Sequence, residues 1–316
     1  MKWLLWCTLF MLNTSNASEQ QASPDWLKTV AFAGHLTDFS GVFVYQYNDR
    51  IETYRISHVV ASDSEYEKVI SLDGPKQEII RHHGQTWCYR NHKMVQVASQ
   101  QGKAKFPTIL IDQLSNLNDS YLVQDAGTSN VAGYATRVII FQPKDKLRYS
   151  HQIWVNTDTG LLLKSVVLDD KKQVLEQYVF TQLKIGVEAD RTWLPETKAD
   201  NRLSLPTTKT DAAISTNSGW VVDSLPQGFT KSQEVKRPMS GKHAPVIQLV
   251  YSDGMSAISV FIETADADED DTEGLSNRGA LNLYHKVVDQ HLFTVVGEVP
   301  ARTVMQVLNS IRFNGK

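Results

Sequence analysis

Apolar residues recur along this chain with two periods that trade places. Trp26, Leu27, Val30 and Ala31 stand at helical spacing, behind a capping Ser23, a Pro24 suited to the first helical position and an acidic Asp25. That pattern predicts a helix ended by Gly34. From Gly41 the period becomes two. Strands are predicted over 41–47 and 50–60 around an Asn48-Asp49 turn, then over 66–72, 77–82, 85–90 and 93–98. Asp73-Gly74-Pro75, His83-Gly84 and Asn91-His92 separate them. A second short helix is predicted over 108–117, bringing Ile111, Leu114 and Ser115 together. Strands resume at 120–125, 131–142, 147–156, 161–168 and 173–184, so residues 24–185 read as a large antiparallel meander with two helices.

The two faces of these strands do not divide into dry and wet. Val42 and Val44 point one way while Phe43, Tyr45 and Tyr47 point the other. Leu161, Leu163 and Val167 oppose Leu162, Val166 and Leu168, and Val138 and Ile140 oppose Ile139 and Phe141. An antiparallel sheet wetted on one side alternates apolar with polar instead. Two short helices cannot cover about eleven such strands. The sheet must curl around its helices, pack on another domain, or keep an apolar cavity sized for a ligand. Phe43, Tyr45, Phe141 and Trp154 are the candidates for lining such a cavity and receiving an acyl chain. Ordinary core packing is the plainer alternative for any one of them.

The pattern lapses over 187–214, where Arg191-Thr192-Trp193-Leu194-Pro195 and the Thr-rich stretch around Pro206 read as a linker. It resumes near Ser215. Strands over 246–251, 255–263, 281–288 and 291–298, a Ser252-Asp253-Gly254 turn and a closing helix from Pro300 make a small α+β domain over 215–316. In that helix Val304, Met305, Leu308 and Ile311 form the expected apolar stripe.

The N-terminus has another character. Lys2, the apolar run from Trp3 to Leu12 and the small residues Ser15 and Ala17 make a secretory leader over 1–17, cleaved after Ala17. The run is shorter than the ~20 residues that span a bilayer. Cys7 lies inside it rather than at the cleavage point, so no lipid anchor is expected. The exported chain, 18–316, divides into a large domain over 18–186, the linker 187–214 and the small domain 215–316.

Charge and cysteine usage narrow the partners. The whole chain of 316 residues carries a formal charge of −3, and the leader removes one lysine and no acid. A nucleic-acid binder would be basic, so none is expected. Cys88, the one cysteine beyond the leader, has no intramolecular partner and shares a strand face with Thr86 and Arg90 as a small hydrophobe.

No catalytic, cofactor or metal constellation stands out. His82 and His83 are strand neighbours that point apart, and His92 brings no carboxylate or cysteine at ligand spacing. The acidic run from Asp266 to Glu273 lacks the glycine and the final glutamate of a calcium loop, with Asp271 and Asn277 in those places. It reads as a solvated loop. Asp73-Gly74 and Asp253-Gly254 are turn chemistry. No nucleophile elbow, zinc-protease helix, paired-cysteine motif or phosphate loop occurs.

Several segments together resemble the RseB/MucB family. They are Gly41-Val42-Phe43-Val44-Tyr45, Leu72-Asp73-Gly74-Pro75 with Glu78-Ile79-Ile80-Arg81, and residues 149–155 followed by Asp158-Thr159-Gly160-Leu161. Leu175-Glu176-Gln177, Leu225-Pro226-Gln227-Gly228-Phe229, Tyr251-Ser252-Asp253-Gly254 and Val296-Gly297-Glu298-Val299-Pro300 complete the set. Each is a turn or strand signature; their order and combination are what is specific. The resemblance implies a large domain like the LolA/LolB lipoprotein carriers, a half-barrel holding helices, with a smaller C-terminal α+β domain. It also implies a non-catalytic periplasmic regulator. Such a protein binds the periplasmic part of a membrane-spanning anti-sigma factor, shields it from proteolysis and yields to lipopolysaccharide or acyl-chain signals. A lipoprotein carrier and a periplasmic hydrolase are the alternatives. A carrier has no need of 215–316, and a hydrolase needs a convergent site. The residues leave the oligomeric state open, a homodimer included.

Overall fold

The computed structural model describes residues 24–61, 64–75, 77–82, 85–90, 93–97, 117–194, 214–238, 244–265 and 273–315. The leader, most of the expected helix over 108–117, His83, His92, residues 195–213 and 266–272 of the acidic run lie outside them. The fold is mainly antiparallel β, with a large N-terminal sheet and a smaller C-terminal one.

Helix α1 (Pro24–Leu36) buries Leu27, Val30 and Ala31. Burying a Leu or Val side chain is worth about 1.5–3 kcal/mol, which holds the helix to the sheet. It does not stop at Gly34. That residue keeps a helical backbone, and a glycine ends a helix only where it turns left-handed, so the last bond runs from Thr37 N–H to Ala33 O at 3.0 Å.

Eleven strands follow. They are β1 (Phe39–Tyr47), β2 (Arg50–Ala61), β3 (Ser64–Ser71), β4 (Glu78–His82), β5 (Gln85–Arg90), β6 (Lys93–Val97), β7 (Tyr121–Val131), β8 (Tyr134–Pro143), β9 (Ser150–Asn156), β10 (Leu162–Leu168) and β11 (Val174–Ile185). A short helix, α2 (Leu117–Ser120), leads into β7. The order is β6-β5-β4-β3-β2-β1-β11-β10-β9-β8-β7. Two meanders are thus joined by the pairing of β1 with β11, rather than one meander running through in chain order. The expected strands 120–125 and 131–142 are one hairpin, whose turn at Ala132 and Gly133 takes positive φ angles of 50° and 86°. Thr128, Ser129 and Asn130 pair within it, beyond an irregularity at 126–127, although no apolar alternation marks them.

The sheet curls. Val131, Ala132 and Tyr134 at the tip of that hairpin join the core cluster of Phe39, Phe43, Ile56 and Phe180, and Tyr134 donates to the Leu183 carbonyl of β11 at 3.4 Å. A second cluster seats α1 and Leu117 on Tyr121, Val123, Ile139, Phe141 and Ile153. Residues 187–194, expected in the linker, lie against the large sheet: Arg191 pairs with Asp38, and the Trp193 ring meets Tyr66.

The C-terminal sheet has the order β12-β14-β15-β16-β19-β18-β17. Its strands are β12 (Ile214–Ser215), β14 (Thr230–Arg237), β15 (Val246–Ser252), β16 (Ala257–Thr264), β17 (Glu273–Arg278), β18 (Leu281–Val288) and β19 (His291–Gly297). β13 (Trp220–Val222) pairs separately with β20 (Ile311–Phe313). Helix α3 (Ala301–Leu308) packs on β18 and β19. The stripe expected on that helix shifts. Thr303, Val304, Val307 and Leu308 are buried, Met305 is 37% exposed, and Ile311 belongs to β20 beyond the helix end. Val307 lies three residues after Val304 and takes the inner place because the sheet, not the solvent boundary, sets the helix roll.

Candidate functional site

The four residues expected to receive an acyl chain do not share one face. Tyr45 pairs with Tyr178, Tyr178 with Ser165, Ser165 with Ile153 and Ile153 with Ile139. Directly paired residues point to the same side of a sheet, as do residues two apart on a strand. Phe43, Tyr45 and Phe141 therefore stand on the inner face that carries α1. Trp154 pairs with Lys164, which pairs with Val179 and so with Val44, on the outer face. There the Lys164 ammonium lies 4.3 Å from the Trp154 ring centroid. Phe43 and Phe141 are fully buried in separate core clusters. Tyr45 is buried with its hydroxyl on Glu176.

Of the histidines that suggested metal, His82 stacks on Tyr66 with ring centroids 4.0 Å apart. Among the described residues no group of three His, Cys, Asp or Glu could hold a metal ion. Cys88 is partly buried, and Gln77 Nε2 lies 3.5 Å from its Sγ. Among the described residues no helix is long and apolar enough to cross a membrane.

The polar chemistry is concentrated instead where the small sheet meets the inner face of the large one. Arg148, in the loop between β8 and β9, is buried there. Its Nε donates to Asp253 Oδ2 at 2.8 Å, and its terminal nitrogens donate to Asp145 and to the Gln227 carbonyl. The guanidinium also lies over the rings of Phe229, at 5.2 Å, and Tyr121, at 5.8 Å. Asp253 is equally committed. Oδ1 accepts the backbone N–H groups of Met255 and Ser256 at 3.0 and 2.8 Å, closing the β15–β16 turn. Oδ2 accepts Arg148 and the Tyr121 hydroxyl, the latter at 3.1 Å. One carboxylate therefore shapes a turn in the small unit and fastens it to the large one.

The segment Leu225 to Phe229 completes this corner. Gly228 has a φ of 84°, and a Cβ there would lie 2.3 Å from Ser120 Oγ, so only glycine lets the two units approach. Burial, and after it the charge of Asp253, push the Tyr121 phenol well up from its usual range. Burial lowers His151 to about 4, and its Nε2 has no hydrogen-bond partner among the described residues. It is held neutral.

Further contacts extend the seam. Asn282 Nδ2 donates to the Tyr149 hydroxyl at 3.0 Å and to the Val299 carbonyl at 2.8 Å. Thr303 at the start of α3 donates to the Leu147 carbonyl at 2.9 Å, and Arg302 pairs with Asp170 at 3.0 Å. Tyr149, Val167 and Ala280 form a small apolar cluster between them. Sequence reading missed Arg148, His151 and Glu176, and gave Asp253 only its turn role. Nothing in local spacing marks a charge that will be enclosed by residues about a hundred positions away. At the seam the side chains of Arg148, Asp253, Tyr121, Asn282 and Thr303 are engaged in joining the two units.

Comparison with known proteins follows the same two-part division. The MucB/RseB N-terminal domain family matches residues 22–198, and the MucB/RseB C-terminal domain family matches 215–312. The sigma factor AlgU regulatory protein MucB of Pseudomonas aeruginosa is 33% identical over 301 residues, covering 94% of this chain and 92% of that protein. The sigma-E factor regulatory protein RseB of Escherichia coli is 23% identical over 305 residues, covering 96% and 94%. A crystal structure of MucB in complex with MucA(peri) superposes with a TM-score of 0.72 at 31% identity, covering 93% of this chain and 100% of that one.

Proposed function

This chain belongs to the MucB/RseB family, and from that premise we propose that it binds the periplasmic region of a membrane-spanning anti-sigma factor. By doing so it shields that region from regulated proteolysis and represses the envelope-stress sigma-E response. The observation that carries this reading is the likeness, over nearly the whole chain, to a MucB crystallised with MucA(peri). Action by binding rather than catalysis fits a seam whose polar groups are committed to holding two units together. The carrier alternative leaves that seam without a purpose.

In this reading the protein works in the periplasm after cleavage behind Ala17. Residues 18–186 form a LolA/LolB-like half-barrel around short helices, 187–214 a linker and 215–316 the small unit. A lipopolysaccharide or a lipoprotein acyl chain releases the partner. The chain enters on the inner face of Phe43, Tyr45 and Phe141. Those rings are packed against protein, Phe141 in the cluster that seats α1 and Phe43 and Tyr45 in a separate cluster that Trp154 also flanks, so entry must part that packing.

The test titrates purified protein with the anti-sigma factor's periplasmic segment, with and without a saturating lipidated peptide, the unlipidated peptide serving as control. Binding of the segment supports the shield, and its absence overturns it. If lipid and partner favour different states, each weakens the other by the same factor. Constant partner affinity at saturating lipid removes the lipid switch and leaves the shield.

A further inference from the structure

Beside the Arg148 corner, a second junction encloses one carboxylate. Glu176 on β11 is 7% exposed. Its Oε2 accepts the Tyr45 hydroxyl of the large sheet at 3.0 Å and faces the Ala280 backbone N–H of the small unit at 3.4 Å. Ala280 sits in the turn between β17 and β18. The preceding Gly279 comes so close that a Cβ would lie 2.8 Å from the same oxygen. Tyr45 stacks on Tyr47 and Tyr178, with centroids 4.9 and 4.3 Å apart. Tyr149 and Val167 close the apolar side around Ala280.

The charged neighbours leave this carboxylate poorly compensated. Arg278, half exposed, lies over the Tyr47 ring at 4.4 Å and donates to the Tyr47 hydroxyl at 2.8 Å and to Glu52 at 3.3 Å. Glu298, exposed after β19, adds a like charge. Burial first, and Glu298 second, push Glu176 up to about 7; the Ala280 N–H, Tyr45 and Arg278 pull back by less.

We propose that protonation of Glu176 sets how firmly the 278–280 turn of the small unit docks on the large sheet, making this junction a pH-responsive contact between the two units. The enclosed carboxylate is the group that must lose water for the turn to close, and neutralising it removes that cost. A carboxyl group raised in the docked state favours docking at low pH and loses that contribution as pH rises towards and through the raised value. With values of 4.5 when solvated and about 7 when docked, docking weakens by about tenfold between pH 6 and pH 8. His151, lowered to about 4, titrates below this window.

The experiment measures hydrogen exchange at the Ala280 amide in the full exported chain at pH 6 and pH 8, corrected for the intrinsic pH dependence of exchange. Protection in the wild type is expected to fall about tenfold, while Glu176→Gln, a neutral group of the same shape, keeps its protection at both pH values. Any other titration in the window is common to both proteins, so the difference isolates Glu176. Equal protection at both pH values in the wild type overturns the proposal, as does an equal loss in the variant. If Glu176→Gln does not fold, the side-chain carboxyl of Glu176 is followed by carbon NMR in the wild type. Titration near 7 supports the proposal, and titration near 4.5 overturns it.

Discussion

Arg148 and Asp253 lie 105 positions apart in the chain and meet with Nε 2.8 Å from Oδ2, both side chains shut away from water. One belongs to a loop of the large sheet and the other to a turn of the small one. A buried ion pair is weak evidence for stability, because desolvating two charges costs about what their attraction returns. Removing one partner is different, since the survivor stays buried without compensation.

Asp253→Asn tests this directly. Asparagine keeps a carbonyl oxygen for the Met255 and Ser256 N–H groups, so the turn survives while the charge is lost. The expected cost is about 3–5 kcal/mol in urea unfolding, because Arg148 retains only the half-exposed Asp145 as an ionic partner. Adding Arg148→Met to Asp253→Asn removes the uncompensated charge while keeping the turn, and should recover part of that loss. A single variant as stable as wild type would mean that the seam is held elsewhere.

His151 makes the protein sensitive to acid. Its value falls from 6.5 to about 4 on burial, so it stabilises the fold above 6.5 and that contribution is lost as pH falls through 4. The magnitude is on the order of 3 kcal/mol. Glu176 works in the opposite direction, gaining as pH falls, so the wild type alone shows only the balance. His151→Phe keeps a ring and removes the titrating group. Thermal unfolding of wild type relative to this variant should drop between pH 7 and pH 4.5. A constant difference would show that the imidazole already titrates as though in water.

Helix α3 supplies the third prediction. Leu308 is buried with Val304 and Val307 in the core of the small unit, whereas Met305 faces outward. Leu308→Asp should unfold that unit, since an unpaired charge in a packed core costs several kcal/mol. Met305→Asp should change thermal unfolding little. Equal effects from the two would contradict the helix roll described above.

The strands that sequence pattern located carry apolar residues on one face or both, and β18 was placed at Leu281–Val288. β14 and β17 escaped because nearly all their side chains meet water. A strand wet on both faces has no hydrophobic period, and its pairing is decided by the neighbours that supply hydrogen bonds. The polar residues 128–130 of β7 joined its hairpin for the same reason.

What the sequence determined by itself was local: the change of period near Gly41, the turns, the doubly apolar strands and the start of α1 at Pro24. Such features depend on residues within a few positions of one another, where side-chain direction follows from backbone period. The tertiary structure alone decided that β1 pairs with β11, that Phe43 and Phe141 face inward while Trp154 faces out, and that α1 and the small unit share the inner face. It also decided that Arg148, Asp253 and Glu176 are enclosed. Burial is a property of what packs on top of a residue, and at this seam the covering groups come from about a hundred residues away.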